Sequence, residues 1–206
     1  ISSHPIHVEP TYTATVETSI EVAPAGTCIP VTGQARYIGS GAPAPFKLVH
    51  VHILVRETER ILAAVTDADG VFTAEFCPLP GEAGCYEIFA TAPGAERPPA
   101  QDTFILLGLR AEPAALSLMV PGLGVYSNSV VLVNPGCVPV DQLTATVENV
   151  LAGLEVSLIP PTSVPASSNA PLRLEVRSLN DAVATESFVV RVTNPVGVVI
   201  EIPVTV

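Results

Sequence analysis

Short apolar segments, separated by turns that contain proline or glycine, recur along the whole chain at intervals of roughly 8–15 residues. No segment keeps the 3.6-residue apolar period of an amphipathic helix. The pattern therefore predicts an all-β protein with almost no helix. The predicted strands are Tyr12–Val22, Cys28–Tyr37, Lys47–Glu57, Ile61–Asp67, Val71–Cys77, Cys85–Thr91 and Asp102–Leu109 in the first half, and Leu116–Val120, Ser127–Val133, Leu143–Val150, Leu154–Ile159, Leu172–Ser178, Glu186–Thr193 and Val198–Val206 in the second.

A short polar break at Arg110–Pro113 follows the apolar run Phe104–Leu107 near the middle of the chain. It leaves about 100 residues on each side, which is the size of one immunoglobulin-like sandwich of seven strands. We therefore predict two tandem immunoglobulin-like β-sandwich domains of about seven strands each. They comprise residues 1–112, which include an extended N-terminal arm, and residues 113–206.

Turn residues with defined backbone preferences separate the predicted strands. The Asp-Gly pair at the end of Asp67–Gly70 adopts positive φ at low cost and predicts a hairpin. Asn134–Gly136 and Asn194–Gly197 each begin with Asn-Pro after a valine-rich strand, and proline cannot donate into a central ladder. We interpret the two Asn-Pro segments as the same kind of turn chemistry at strand ends.

Several of these segments resemble known bacterial modules. Val65–Phe76 followed by Ala83–Gly94 resembles the second half of bacterial immunoglobulin-like or carboxypeptidase-regulatory-like domains, with Thr27–Gln34 as the second strand. Val131–Gly136 and Phe188–Asn194 are similar to sandwich modules of cell-adhesion-related bacterial proteins. The resemblance covers most of the chain and implies a spacer, an adhesive unit, a fibre subunit or an appendage of a secreted hydrolase. It implies no shared catalytic residues.

Charge and hydropathy restrict the partners. The formal net charge is −11 and Lys47 is the one lysine, which argues against nucleic acid and against anionic lipid surfaces. No apolar run approaches the ~18 residues that a membrane span needs, so we expect no membrane insertion. The chain begins at Ile1, and we expect a processed product or a fragment that is secreted or displayed on the cell surface.

Four cysteines, Cys28, Cys77, Cys85 and Cys137, predict two disulfides in a chain that we expect to be secreted. If the strands alternate in direction, all four cysteines lie near the junction between the two domains. We predict that Cys77–Cys85 closes a short loop and that Cys28–Cys137 joins the domains. Two alternatives stay open: a Cys28–Cys77 bridge with Cys85 and Cys137 paired or free, and four reduced, buried thiols.

His50 and His52 are the first candidate metal ligands. Alternate residues of a strand share a face, so the two side chains should lie side by side. Such a pair binds zinc or copper when a third ligand approaches, and His4 and His7 are the other histidines of the chain. The alternative is a pair of outward-facing residues that belong to a contact surface.

Asp67 and Asp69 are candidate calcium ligands at a loop end. Two carboxylates are too few for a calcium site of six to eight oxygens unless Glu57 or Glu59 and backbone carbonyls contribute. The hairpin turn accounts for both aspartates without a metal. We therefore expect no obligatory cofactor, with calcium or a transition metal as the alternatives.

The N-terminal segment suggests a mode of association. Ile1, Ile6 and Val8 lie in a stretch that mixes apolar and polar residues before the first strand. Such an arm could add a strand to the sheet edge of a neighbouring subunit, and the alternative is an ordinary frayed terminus.

The sequence contains no GxSxG, HExxH or P-loop motif, so we expect a protein that is not an enzyme. The favoured function is a non-catalytic extracellular structural or adhesive protein that binds proteins, with self-assembly into a surface or fibre subunit as one form. The first alternative is an accessory or ligand-binding spacer module of a larger secreted bacterial enzyme. The second is a periplasmic metal-binding module that uses His50 and His52.

Overall fold

The computed structural model describes residues 10–150, 152–181 and 185–206. The described residues form eighteen strands and no helix, which confirms the predicted all-β class. No helix in the described part could cross a membrane. The chain folds as two compact units: unit 1 contains residues up to 22, 26–78 and 85–105, and unit 2 contains residues 23–25, 79–84 and 106–206.

The first eight strands form the sandwich that contains unit 1, although most of β2, the first residue of β7 and the last two residues of β8 are counted with unit 2. Strands β1, β3 and β6 form one sheet, and the other sheet has the order β2-β8-β7-β4-β5. In immunoglobulin lettering these sheets correspond to A-B-E and A′-G-F-C-C′, so the first strand is divided between the two sheets. The strands are β1 (Tyr12–Glu17), β2 (Val22–Pro24), β3 (Ile29–Tyr37), β4 (Leu48–Val55), β5 (Thr58–Val65), β6 (Val71–Phe76), β7 (Gly84–Thr91) and β8 (Asp102–Leu107).

The other ten strands build unit 2. Its sheets have the orders β14-β16-β11-β9 and β10-β18-β17-β13, and a short β12-β15 ladder accompanies them. The orders correspond to D-E-B-A and A′-G-F-C, the arrangement of an immunoglobulin constant-type sandwich. The strands are β9 (Arg110–Glu112), β10 (Leu116–Ser117), β11 (Val125–Asn134), β12 (Val140–Asp141), β13 (Thr144–Glu148), β14 (Leu154–Ile159), β15 (Ser163–Val164), β16 (Ser168–Ser178), β17 (Ser187–Thr193) and β18 (Val199–Thr205).

Alternation along the strands places one face of each sheet in the core. In β1 the buried and exposed residues alternate without exception. The core of unit 1 contains an aromatic cluster in which the rings of Tyr86 and Phe104 stack with their centroids 4.7 Å apart. Phe76 packs against Tyr86 at 5.5 Å. The chain has no tryptophan, so phenylalanine and tyrosine rings supply the aromatic packing of this core.

The disulfide pairing differs from the one we favoured. Cys28 is bonded to Cys77, so the predicted bridges Cys77–Cys85 and Cys28–Cys137 are wrong. The reason is register: Ile29 pairs with Phe76, and one more step along both strands places Cys28 directly opposite Cys77. Cys85 and Cys137 are disulfide-bonded as well, and none of the four cysteines is a free thiol.

Candidate contact surface

The most distinctive surface of unit 1 is the outer face of the sheet that contains β4, β5 and β7. Val49, Val51 and Ile53 of β4 point into the core and are almost completely buried. The alternate residues His50 and His52 therefore lie side by side on the opposite face, as the strand period predicted. The hairpin β4–β5 and the β4–β7 ladder hold this face in one sheet.

Exposed apolar side chains concentrate on this outer face. Leu48, Ile61 and Val65 are 43%, 52% and 63% exposed. Leu48 lies directly across from Val65 in the β4–β5 ladder, and exposed Ala63 lies between Ile61 and Val65 on the same face. We call Leu48, Ile61, Ala63 and Val65 the outer apolar patch. Contiguous apolar surface of this kind is typical of a protein contact site.

His52 lies at the border of the outer apolar patch and is held there by side-chain contacts. Its Nδ1 donates to Glu59 Oε1 at 3.0 Å, and its Nε2 lies 2.9 Å from the hydroxyl of Thr91. The imidazole stacks on Phe89 with centroids 4.5 Å apart, and the guanidinium of Arg97 lies 4.8 Å from the same ring. Phe89 is consequently buried although it belongs to the outer face.

Among the described residues, no third histidine, cysteine or carboxylate joins His50 and His52 in a group of mutually close ligand atoms, and His4 and His7 lie outside the described residues. The rings of His50 and His52 have their centroids 6.3 Å apart, and both ring nitrogens of His52 already have hydrogen-bond partners. The geometry favours a role in which His52 positions the side chains of Glu59 and Thr91 through hydrogen bonds. Metal binding by the pair stays a prediction, which calorimetric titration with zinc would check.

Asp67 and Asp69 form a turn. The Oδ1 atom of Asp67 accepts hydrogen bonds from the backbone N–H groups of Asp69 and Val71, both at 2.9 Å. Gly70 has a φ of 75° and donates to the carbonyl oxygen of Asp67. The turn therefore uses the carboxylate of Asp67 to satisfy backbone donors, and calcium binding here also stays a prediction.

Among the described residues, the group of possible metal ligands with mutually close atoms is Cys28, Glu75 and Cys77. The two sulfurs are bonded to each other, so one carboxylate remains. This set does not fit a metal ion. The predicted arm residues Ile1, Ile6 and Val8 lie outside the described residues.

Gln101 has a role that sequence reasoning missed. Its Nε2 donates to the carbonyl oxygen of Ala14, and its Oε1 accepts from the N–H groups of Val16 and Ala90. Asp102 accepts from the N–H of Thr18. Together they occupy outward backbone groups of edge strand β1 and of Thr18, the residue after it. No local pattern marks a glutamine that acts on residues more than 80 positions earlier.

Unit 2 contains a cavity of about 560 Å³. Leu118, Met119, Leu154, Asn180 and Glu186 contribute to its wall. The Oε2 atom of Glu186 is buried and accepts no hydrogen bond from the described residues. The cavity thus combines apolar side chains with several polar ones, among them Asn180 and Glu186, which is a common composition for a small-molecule site.

Comparisons with known proteins found matches among solved structures alone. No family model and no curated protein matches it. Among solved structures, a C-terminal fragment of intimin in complex with the intimin-binding domain of the translocated intimin receptor matches 93% of this chain at 13% identity and a TM-score of 0.43. The adhesin InvE of Yersinia pseudotuberculosis matches 95% at 13% identity and a TM-score of 0.38. A Salmonella alpha-2-macroglobulin matches 96% at 10% identity and a TM-score of 0.39.

The chain spans 62% of the intimin fragment, 58% of the InvE chain and 15% of the alpha-2-macroglobulin chain. Bacterial adhesins are among these matching structures.

Proposed function

We propose that this chain is a non-catalytic extracellular adhesive module that binds proteins, including copies of itself, through the outer apolar patch. The observation that carries the proposal is the exposure of Leu48, Ile61 and Val65 on one continuous sheet face. Burial of such side chains by a partner is favourable by roughly 25 cal/mol for each Å² of apolar surface. The surrounding His52 and Glu59 provide the polar border that protein interfaces usually have.

The extracellular location is supported by the cysteines and the charge. All four cysteines are disulfide-bonded, and disulfides persist in oxidising compartments. The net charge of −11 favours solubility outside the cell and disfavours nucleic acid as a partner. Assembly of several copies, with this chain as a surface or fibre subunit, is a more specific version of the same proposal.

Bead adhesion tests the proposal. Beads coated with the full chain settle on surfaces that carry either the same chain or a mixture of extracellular matrix proteins, and detachment under flow is measured. The double variant Ile61→Gln/Val65→Gln should lose adhesion because the patch becomes polar. The control Val196→Gln/Val199→Gln changes two valines of unit 2 that are 43% and 48% exposed, and it should adhere like the unchanged chain. Equal adhesion of both variants would reject the outer apolar patch as the contact site.

The alternative is a ligand-binding accessory module, and the cavity of unit 2 favours it. Nile red, a neutral apolar dye, serves as the probe because the acceptor of Glu186 would repel an anion. We expect saturable binding that weakens in Leu154→Trp, since the larger side chain reduces the cavity. Absence of saturable binding would reject this alternative and leave the adhesive proposal unaffected.

A further inference from the structure

The backbone of edge strand β5 has an unpaired side. In β7, which β4 separates from β5, the carbonyl oxygen of Ile88 accepts from the N–H of Gln101. The N–H of Ala90 donates to the side chain of Gln101, so the even residues of β7 face β8. The odd residues of β7 then face β4, and the β4–β7 and β4–β5 registers carry the alternation across the sheet. The even residues of β5 consequently bond to β4. The odd residues direct their N–H and C=O groups away from the sheet: Glu59, Ile61, Ala63 and Val65.

A second observation gives the same assignment. The N–H of Thr66 donates to the carbonyl oxygen of Lys47 at 2.9 Å, so Thr66 is a hydrogen-bonded position of the β4–β5 pair. Val65 is therefore a non-hydrogen-bonded position, and the odd residues before it share this property. Within the part of the chain that the structure describes, no backbone group bonds to these four residues on the free side.

Other edges of unit 1 are partly covered. Gln101 bonds to outward groups of β1, and Asp102 accepts from the N–H of Thr18 just after this strand. At the edge formed by β6, both backbone groups of Val71 bond to Asp67. Strand β5 differs because its free backbone groups lie beside exposed apolar side chains. A long apolar edge of this kind recruits another strand.

We propose that β5 pairs antiparallel with β5 of a second copy of this chain. This inference rests on the proposed function and names one partner and the mode of contact. With the two-fold axis at Leu62, Ile61 faces Ala63 of the second copy and Glu59 faces its Val65. All four outward residues then exchange two hydrogen bonds each, so no outward group of the strand stays unpaired.

The charges of β5 select the antiparallel arrangement. Arg60 then lies opposite Ala64, and Glu59 lies opposite Val65, so no like charges meet. A parallel arrangement in register would place Glu59 against Glu59 and Arg60 against Arg60, which is destabilising. The contact is isologous and closes as a dimer. Both outer faces lie on the same side of the joined sheet, so the two outer apolar patches become one surface.

A strand from the N-terminal arm is the competing occupant of this edge. Pro5 lacks the N–H that a ladder requires, and Pro10 follows five residues later. In β5 every residue from Thr58 to Val65 can donate. The identical strand is therefore the better complement.

The test combines a backbone-blocking variant with amide exchange on the full chain. Ala63→Pro removes an N–H that faces the free edge and leaves the β4–β5 ladder intact, and the control Ala63→Thr keeps the N–H. Sedimentation velocity over a concentration series at physiological salt should show a reversible dimer of the unchanged chain. We expect about thirtyfold weaker dimerisation in Ala63→Pro, because two intermolecular hydrogen bonds are lost, and near-normal dimerisation in Ala63→Thr.

Amide hydrogen exchange locates the contact without a substitution. The N–H groups of Glu59, Ile61, Ala63 and Val65 should exchange more slowly as the protein concentration rises, whereas the ladder N–H of Leu62 should not change. A monomer at all concentrations, concentration-independent exchange of the outward amides, or equal dimerisation of Ala63→Pro and Ala63→Thr would each overturn the inference. So would loss of the dimer on removal of residues 1–9, which would assign the edge to the arm. Sedimentation of the unchanged chain as a monomer, together with adhesion to matrix proteins in the bead experiment, would reject the β5 pairing and leave the proposed function standing, so the two proposals fail separately.

Discussion

Asn134→Asp is the substitution for which the structure predicts the largest effect. Asn134 is 1% exposed, and its Nδ2 donates to the carbonyl oxygens of Val138, Val164 and Pro165 at 2.8, 3.1 and 3.1 Å. Its Oδ1 accepts from the N–H of Gly136 at 2.8 Å. Aspartate keeps the acceptor but replaces the donor with an oxygen. Three carbonyl oxygens then face a carboxylate in the interior of unit 2.

The magnitude follows from these contacts. A buried polar group that loses its partner costs about 1–3 kcal/mol, and two of the three hydrogen bonds are only partly buried. Three such losses, with the desolvated charge added, give a loss of about 4 kcal/mol or more in the free energy of unfolding of unit 2. For a unit of about 100 residues this lowers Tm by on the order of 20 °C.

Asn194→Asp is the matched control. Asn194 also precedes a proline after a valine-rich strand, but its Oδ1 accepts from the N–H of Val198 at 2.9 Å, and no donated bond of its side chain occurs among the described residues. Aspartate preserves that bond, so we expect a change below about 0.5 kcal/mol. Differential scanning calorimetry gives the transitions, and amide exchange in β11 and β17 assigns them to unit 2. Equal effects of the two substitutions would refute the donor argument.

Three further predictions concern unit 1. The double variant Cys28→Ser/Cys77→Ser opens a loop whose ends are 49 positions apart, and we expect a loss of about 4 kcal/mol in urea unfolding; a loss below about 1 kcal/mol would contradict the loop-entropy account. Gln101→Ala removes three hydrogen bonds and should cost about 2 kcal/mol, with faster amide exchange in β1; unchanged exchange there would disprove its edge-closing role. Burial raises the pKa of Tyr12 above its ordinary value of 10.0. The contribution of the neutral phenol to the free energy of unfolding is therefore complete below pH 10, and it is lost as the pH rises through the folded-state pKa. Tyr12→Phe should lose its hydrogen bond to Leu48 yet show a smaller decline of Tm above pH 10, and a decline equal to that of the unchanged chain would contradict the assignment.

The cysteines show where topology alone was insufficient. The alternation of strand directions predicted that cysteines distant in the chain meet at one end of a sandwich. The bond between Cys28 and Cys77 agrees with this prediction. The alternation could not specify which cysteines face each other, because this depends on the residue-by-residue register of β3 and β6. A shift of one residue would move Cys28 from its position opposite Cys77.

The histidines show a related limit. The strand period predicted that His50 and His52 share a face, and the structure confirms that they do. The partners of His52 come from β5 and β7, 7 and 39 positions away in the chain. No local pattern contains that information, so the hydrogen bonds and the ring contact of His52 could be seen only in the tertiary structure.

The sequence by itself determined the all-β class, most strand positions, the hairpin at Asp67–Gly70 and the two Asn-Pro turns, because these depend on local backbone preferences and a two-residue period. Only the tertiary structure decided what each turn residue does. Asn134 and Asn194 look alike in sequence, yet one is a buried donor to three carbonyl oxygens and the other caps a single N–H. The same holds for the β5 edge, since whether a strand has a neighbour depends on the order of strands in the sheet. Those properties arise from contacts between segments that are distant in the chain, and each one is fixed by register and packing.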